Sequence, residues 1–376
     1  MPDPDALSQK VASCSASLMY TRPRFWVKNS YHDIYVRLGR NLIIITNHMG
    51  GNVRTLIVHN LKSGFGSNAV FEFERALLRD GDEVTLRALP EEGGAREAVC
   101  DAEDFDLVVV SGGDGTVTNL LFELRDRDVL TCIFPSGTSN LLFANLGSAP
   151  EPSAIAHACR LGRSVHTDLG VMRWTDEDGR PREHGFGIMA GTGFDAQLMR
   201  AAVPNKKSMG EAAYFAAALS NIHPDIIHFD ITVDGRHYER DAIACIVANN
   251  AMIQGEIEVV PNSTMTDGKL DVILLETSDA VQLLRPIFAG MVDKSGNSVG
   301  RPYLEQFTGE TIEVKSSKPI PMQTDGEVIP GLVSSYIAQV IPAANKLIVD
   351  PLSRYEPDDG GTEGFGGTET VAFPEI

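Results

Sequence analysis

The sequence predicts a three-layer α/β nucleotide-binding domain followed by a β-sandwich domain, with the active site in the cleft between them. Three observations carry this prediction. From Arg54 to Arg163 strand-like and helix-like segments alternate, and the strands are continuous apolar runs, the mark of a parallel sheet covered on both faces. After Ser164 short alternating strands with Asp-Gly turns succeed one another, as in a β-sandwich. Between them, the run DLVVV ends in SGGDGT (111–116), a stretch stripped of side chains except for one carboxylate at the exit of a buried strand.

Taken in order, residues 1–53 are an N-terminal extension. RTLIVHN is a strand, HNLKSGFGSN (59–68) its loop, and AVFEFERALLRDG a helix closed by Gly81. DEVTLRAL is a second strand and GAREAVCDAE a second helix. DLVVV, the GGDGT turn and the helix TNLLFELRDR follow. VLTCIFP leads through SGTSN (136–140) into the apolar helix LLFANL. The first domain covers 54–163 and the second 164–343. The latter has strands in SVHTDLGVMRW, EHGFGIMAG, IIHFDITVDG, RHYERDAIACIVANN, KLDVILLE, TIEVKS and MQTDGEV. Only KKSMGEAAYFAAALSNI and DAVQLLRPIFAGMV read as helical there. Residues 344–352, with NKLIVDPL, are a strand able to return to the first domain. Residues 356–376, Gly-rich with six acids and no Lys or Arg, read as a disordered tail.

Composition excludes several classes. The chain has 376 residues and a formal net charge of −19, which would repel nucleic-acid phosphates. No window reaches the length of a membrane span, and the N-terminus lacks a signal-peptide pattern. The five cysteines show no CxxC or metal spacing, which points to a reducing, cytoplasmic setting. Charge is uneven, however. Arg22, Arg24, Lys28, Arg37 and Arg40 cluster between Tyr20 and Arg40, a segment expected to rest on anionic lipid.

Glycines at a strand-to-helix junction let backbone approach a ligand closely, and helix N-terminal amides suit phosphate. An Asp in such a turn repels phosphate unless a divalent cation intervenes, so Asp114 points to a nucleotide phosphate with Mg²⁺. The motif is neither a Walker A loop nor a dinucleotide GxGxxG. SGTSN and HNLKSGFGSN repeat the design on neighbouring strands, and three such loops on one sheet edge make a phosphate site.

In this order the motifs resemble those of the diacylglycerol kinase catalytic-domain family, which includes bacterial soluble lipid kinases, sphingosine kinases and ceramide kinases. The resemblance runs from Arg54 to Leu352. It rests on HNLKSG, SGGDGT, PSGTSNLLFANLG, TDLG (167–170), AGTGFDA (190–196), KKSMGEAAY (206–214), VANN (247–250), VPNSTMTDGKLDV (260–272) and PMQTDGEV (321–328). GGDGT alone also fits NAD kinases; DGKLDV and TDGE single out the lipid kinase branch.

The resemblance implies an NAD kinase-like first domain and transfer of the γ-phosphoryl of ATP to a hydroxyl of a membrane lipid. The lipid is a diacylglycerol, a sphingoid base or a ceramide. A soluble-metabolite kinase of NAD type and a non-catalytic lipid-binding protein remain the alternatives. Asn60, Ser63, Gly112, Gly113, Asp114, Gly115, Thr116 and Thr138 would form the ATP site. Asp325 and Glu327 would flank the acceptor hydroxyl, one of them as general base while the other joins an Asp-water-Mg²⁺ network with Asp114 and Asp168. Asp267, with the carbonyls of Thr264 and Lys269, matches a second, structural metal site, and Lys206 and Lys207 a basic spot facing phosphate or headgroup. Attachment to the membrane would be peripheral, and a homo-oligomer is left open. The chain departs from the family pattern at Leu61 in place of proline and at Leu141 in place of an acid. It departs again at Thr118 in place of Asn, and it lacks an adenine-side threonine near Arg87.

Overall fold

The computed structural model describes residues 24–27, 33–38, 41–46, 53–63, 68–79, 82–90, 94–197, 224–253, 257–277 and 303–358. The chain forms two compact units, residues 1–51 with 364–376, and residues 52–363. In the first, β1 (Arg24–Val27), β2 (Asp33–Leu38) and β3 (Asn41–Thr46) make an antiparallel sheet in that order, where the sequence reading assigned no strands. The side chains of the basic Tyr20–Arg40 segment lie outside the described residues. So do Lys206, Lys207, the two expected helices at 206–222 and 279–292, and the chain beyond Asp358.

The larger unit opens with β4 (Arg54–His59), α1 (Ala69–Leu77), β5 (Glu83–Ala88) and α2 (Ala95–Ala98). β6 (Leu107–Gly112), α3 (Asp114–Leu124), β7 (Leu130–Pro135), α4 (Leu141–Leu146) and α5 (Pro152–Leu161) complete the first domain. Strands β7, β6, β4 and β5 lie side by side in parallel. β6 is buried at every position, and Val108, Val109 and Val110 are wholly inaccessible. Each such side chain contributes about 1.5–3 kcal/mol of transfer free energy. Register fixes where the loops emerge. His59 sits opposite Ser111, and Gly112 opposite Pro135, so the chain leaves β4, β6 and β7 along one sheet edge.

The second domain contains β8 (Ser164–Thr175), β9 (Pro181–Phe186), β10 (Met189–Gly193), β11 (Ile227–Val233), β12 (Arg236–Ala242) and β13 (Ala244–Ala248). A short pair, β14 (Met252–Ile253) and β15 (Ile257–Glu258), precedes β16 (Leu270–Leu275) and β17 (Leu304–Gly309). It closes with β18 (Thr311–Ile320), β19 (Met322–Thr324), β20 (Glu327–Val328) and β21 (Val333–Ile348). β17, β16, β13, β10, β19 and β20 form one antiparallel sheet. Phe229, Ile231, Val314, Tyr336 and Ala338 of the facing sheet pack on Cys245, Val247, Val272, Leu274 and Met322 to make the sandwich core.

β21 joins the halves. Over Thr311–Lys315 it pairs with β18, along nearly its whole length with β8, and through Lys346 and Leu347 with β7 in parallel. One ten-stranded mixed sheet therefore runs through both domains. Asn345, buried in β21, donates its amide to the Leu121 carbonyl of α3 at 3.0 Å, which ties the strand to the helix that begins at the GGDG turn.

Candidate active site

Gly112 closes β6, Gly113 is extended (φ −86°, ψ 178°), and α3 starts at Asp114. Helix geometry leaves the amides of Asp114, Gly115 and Thr116 without an intrahelical acceptor, so they face outward at the strand edge. The second glycine loop packs directly on the first. A Cβ on Gly137 would stand 2.4 Å from the Gly113 Cα, a separation that backbone cannot relieve. Asn140, in the left-handed region (φ 49°), closes this loop. Its side chain accepts from the Gly137 amide at 2.8 Å and donates to the Gly137 carbonyl at 3.0 Å. Thr138 is exposed at the loop's crest.

Asn60 donates to the Thr116 hydroxyl at 2.8 Å, which links the loop after β4 to the first turn of α3. The Ser63 amide donates to the Asn60 carbonyl at 2.9 Å. Beside them lies a cavity of about 290 Å³, lined by His59, Leu61, Ser63, Asn68, Phe71 and Leu86 among others. His59 contacts the Ser111 hydroxyl through Nδ1 at 2.8 Å, and burial lowers its pKa, favouring the neutral imidazole. Arg87, where the family's threonine is missing, is held away by Asp101 in a bidentate pair at 2.7 and 2.9 Å.

The TDGE segment is a two-residue hairpin between β19 and β20. Asp325 (φ 45°) and Gly326 (φ 83°) both take positive φ, as such a turn requires. The two acids have different surroundings. Each Asp325 oxygen accepts two hydrogen bonds. Oδ2 takes the Thr118 hydroxyl and the Gly187 amide, both at 2.7 Å, and Oδ1 takes the Ile188 and Met189 amides, both at 2.9 Å. Burial raises the Asp325 pKa, and these four donors oppose the rise. Glu327 is exposed, and among the described residues nothing donates to its carboxylate. It lies against the GGDG turn: a Cβ on Gly115 would stand 2.0 Å from Glu327 Oε1. The structure thus brings Glu327 together with Gly112–Gly115, Thr116 and Asn60, and connects Asp325 to the same helix through Thr118.

Asp114 accepts the Leu142 amide through Oδ1 at 2.9 Å, and its Oδ2 has no donor among the described residues. Asp168 faces a different loop. Its carboxylate accepts the Gly268 amide at 2.8 Å and the Ala343 amide at 2.7 Å, and its own amide donates to the Met265 carbonyl at 2.7 Å. Burial raises the Asp168 pKa, the two amides oppose this, and Asp267 nearby adds to it. Asp267 accepts the Lys269 amide at 3.0 Å, and Thr264 and Thr266 share a hydroxyl contact at 3.0 Å. Asp168 and Asp267 therefore belong to one neighbourhood, joined to the site by Asn249. That side chain donates both to the Asp168 carbonyl at 2.8 Å and to the Gly187 carbonyl at 2.9 Å.

Among the described residues no three His, Cys, Asp or Glu side chains converge as direct metal ligands. The donors present, the open oxygen of Asp114 and the carboxylate of Glu327, are hard oxygens. They suit Mg²⁺, which keeps several waters and binds through one or two carboxylates plus substrate phosphates. The sequence reading missed Thr118 as a partner of Asp325, although it stands four residues after Asp114 on the same helical face. The amides of 187–189 carry no side-chain signal at all.

Comparison with known proteins gives the class. Residues 54–172 match the diacylglycerol kinase catalytic domain, and residues 188–349 match the YegS C-terminal NAD kinase beta sandwich-like domain. The chain thus carries, in order, a diacylglycerol kinase catalytic domain and a YegS-type C-terminal domain. Among its relatives, a diacylglycerol kinase of Mycobacterium tuberculosis (strain H37Rv) is 31% identical over 189 residues, 49% of this chain and 59% of that protein. The chain thus spans less than two thirds of that relative's length. The diacylglycerol kinase of Bacillus subtilis (strain 168) is 24% identical over 74% of this chain and 92% of its own. A Pectobacterium atrosepticum protein named "Probable lipid kinase YegS-like" is 27% identical over 79% and 96%. The crystal structure of a diacylglycerol kinase from Bacillus anthracis superposes with a TM-score of 0.63 at 20% identity, covering 80% of this chain and 99% of that one, a likeness of fold. No helix among the described residues is long and apolar enough to cross a membrane.

Proposed function

We propose that this chain transfers the γ-phosphoryl of ATP to a hydroxyl of a membrane lipid of the diacylglycerol, sphingoid-base or ceramide class, with Glu327 as general base. The observation that carries this reading is the contact of Glu327 with Gly115. It sets a carboxylate with no donor among the described residues against a turn suited to receive phosphate. Asp325 has both oxygens filled by protein donors, so it holds the hairpin in place while Glu327 takes the hydroxyl proton. The outward amides of Asp114, Gly115 and Thr116 hold the triphosphate, Asn60 positions Thr116, and the cavity beside His59 receives the base. Asp114, through its open oxygen, would hold Mg²⁺ together with the substrate phosphates, and the ion when bound would neutralise charge on the transferring phosphoryl group. Asp267, with the Thr264 and Lys269 carbonyls, would hold a second, structural ion, and the basic Tyr20–Arg40 segment would meet anionic lipid. The test is transfer of labelled phosphate from ATP to dispersed lipid. Glu327→Gln should lower kcat by about 10²–10⁴-fold with little change in the KM for ATP. Unchanged kcat would refute the assignment.

A further inference from the structure

β5 ends its sheet, and among the described residues nothing pairs with its outer side. The Glu83 amide donates to Val53 and the Leu89 amide to His59. Odd-numbered amides therefore point inward to β4, and the N–H and C=O groups of Val84, Leu86 and Ala88 point to the open edge. Leu86 is 42% exposed, and Phe71 of the flanking α1 is 49% exposed. A free edge carrying apolar side chains is a pairing template that native proteins either guard or use.

The sequence of the strand indicates its occupant. EVTLR (83–87) complements its own reverse: acid at one end, base at the other, two apolar residues inside and Thr85 at the centre. We propose that β5 pairs antiparallel with β5 of a second copy of this chain about a two-fold axis at Thr85, extending the sheet across both subunits. In this register Val84 stands opposite the second copy's Leu86 as a hydrogen-bonded pair, which matches the outward direction of both residues' backbone groups. The two symmetric pairs exchange about four backbone hydrogen bonds. Thr85 faces its own copy and Glu83 faces Arg87, both as non-hydrogen-bonded pairs whose side chains lie closest. The guanidinium has the capacity. Its three hydrogen bonds to Asp101 and the Ala98 carbonyl use Nη1 and Nη2 and leave Nε–H and a further Nη2 proton. Glu83 has no ion-pair partner among the described residues. Centring the pair on Leu86 instead sets Glu83 opposite Leu89 and loses both charge pairs. The axis is perpendicular to the sheet, so like faces meet, and the exposed Leu86 and Phe71 of the two copies fall on one side.

The test uses the full chain in sedimentation velocity and light scattering over a wide concentration range. A dimer is expected, and Glu83→Lys, on an exposed side chain with no ion-pair partner among the described residues, should raise its dissociation constant about tenfold. Under mild oxidation Thr85→Cys should cross-link into a covalent dimer, because facing residues of a non-hydrogen-bonded pair stand within disulfide reach. Val84→Cys, which faces Leu86, and the wild type with its exposed Cys100 should not. A monomer at every concentration overturns the proposal. So does a dimer that Glu83→Lys leaves unweakened, or one in which Thr85→Cys cross-links no more than wild type.

Discussion

At Gly115 a single methyl group would stand 2.0 Å from Oε1 of Glu327, and the obstructing atom is the end of a flexible, exposed side chain. Gly115→Ala should therefore cost little stability yet push the carboxylate out of line. A fall in kcat of at least about tenfold, with the melting temperature nearly unchanged, is the expected outcome, since small misplacements cost large factors in rate. Steady-state kinetics beside calorimetry checks it. Asp168 and Asp325 make a second residue-scale prediction. Burial raises both pKa values above the ordinary 3.8, so the folded state holds their protons more tightly than the unfolded chain does. Their contribution to stability is then fully present below pH 3.8 and is lost as pH rises through the raised folded values. Asp168→Asn should flatten that part of the pH dependence in denaturant titrations, and an unchanged slope would contradict it. At this scale the sequence singles out candidates, because GGDGT and TDGE are unusual strings. It does not separate the two acids of TDGE. Their difference lies in the amides of 187–189, which any sequence would supply equally.

The elements show the same division. LLFANL emerges as a helix with the bounds read from sequence, Leu141–Leu146, because Asn140 and Gly147 punctuate it. GAREAVCDAE reads as one helix but forms only Ala95–Ala98 and a 3₁₀ turn at Ala102–Asp104. Val99 leaves helical geometry, and Asp101 turns to take Arg87. α5 escaped notice because its buried face, Ile155, Ala156, Ala158 and Cys159, is mostly small residues that give a weak apolar signal. In β21 only NKLIVDPL was legible. The preceding half is interrupted by a register shift between Ile341 and Asn345, with Ala343 at φ 49°, so its alternation breaks. The close approach of the loops after β6 and β7 supports a prediction of opposite kind to that at Gly115. In Gly137→Ala the methyl group meets backbone at 2.4 Å, and neither loop can yield without moving a strand end. Stability should fall by about 1–3 kcal/mol and ATP binding should weaken together, measured by thermal melts and nucleotide titration.

Across the whole molecule, the α/β domain and the sandwich are joined by the continuous sheet and by buried polar ties. Thr118 on α3 holds Asp325 on the β19–β20 hairpin, and Asn345 of β21 holds the carbonyl of Leu121. Thr118→Val should leave a buried carboxylate one donor short, costing about 1–3 kcal/mol. It should also lower kcat more than it alters the KM for ATP, because Glu327 depends on that hairpin, and Thr118→Ser should restore both. Two successive domains were legible in the switch from strand-helix alternation to strand-strand succession. The single sheet running through both was not, because it depends on one strand pairing with β18, β8 and β7 in turn. The most direct test of the central claim is phosphate transfer from labelled ATP to diacylglycerol, sphingoid base and ceramide in mixed micelles with Mg²⁺, comparing wild type with Asp114→Asn and Glu327→Gln. The account predicts a labelled lipid product with at least one acceptor, and its loss by two orders of magnitude or more, on the order of 10²-fold, in both variants. Product formation undiminished in both would contradict it.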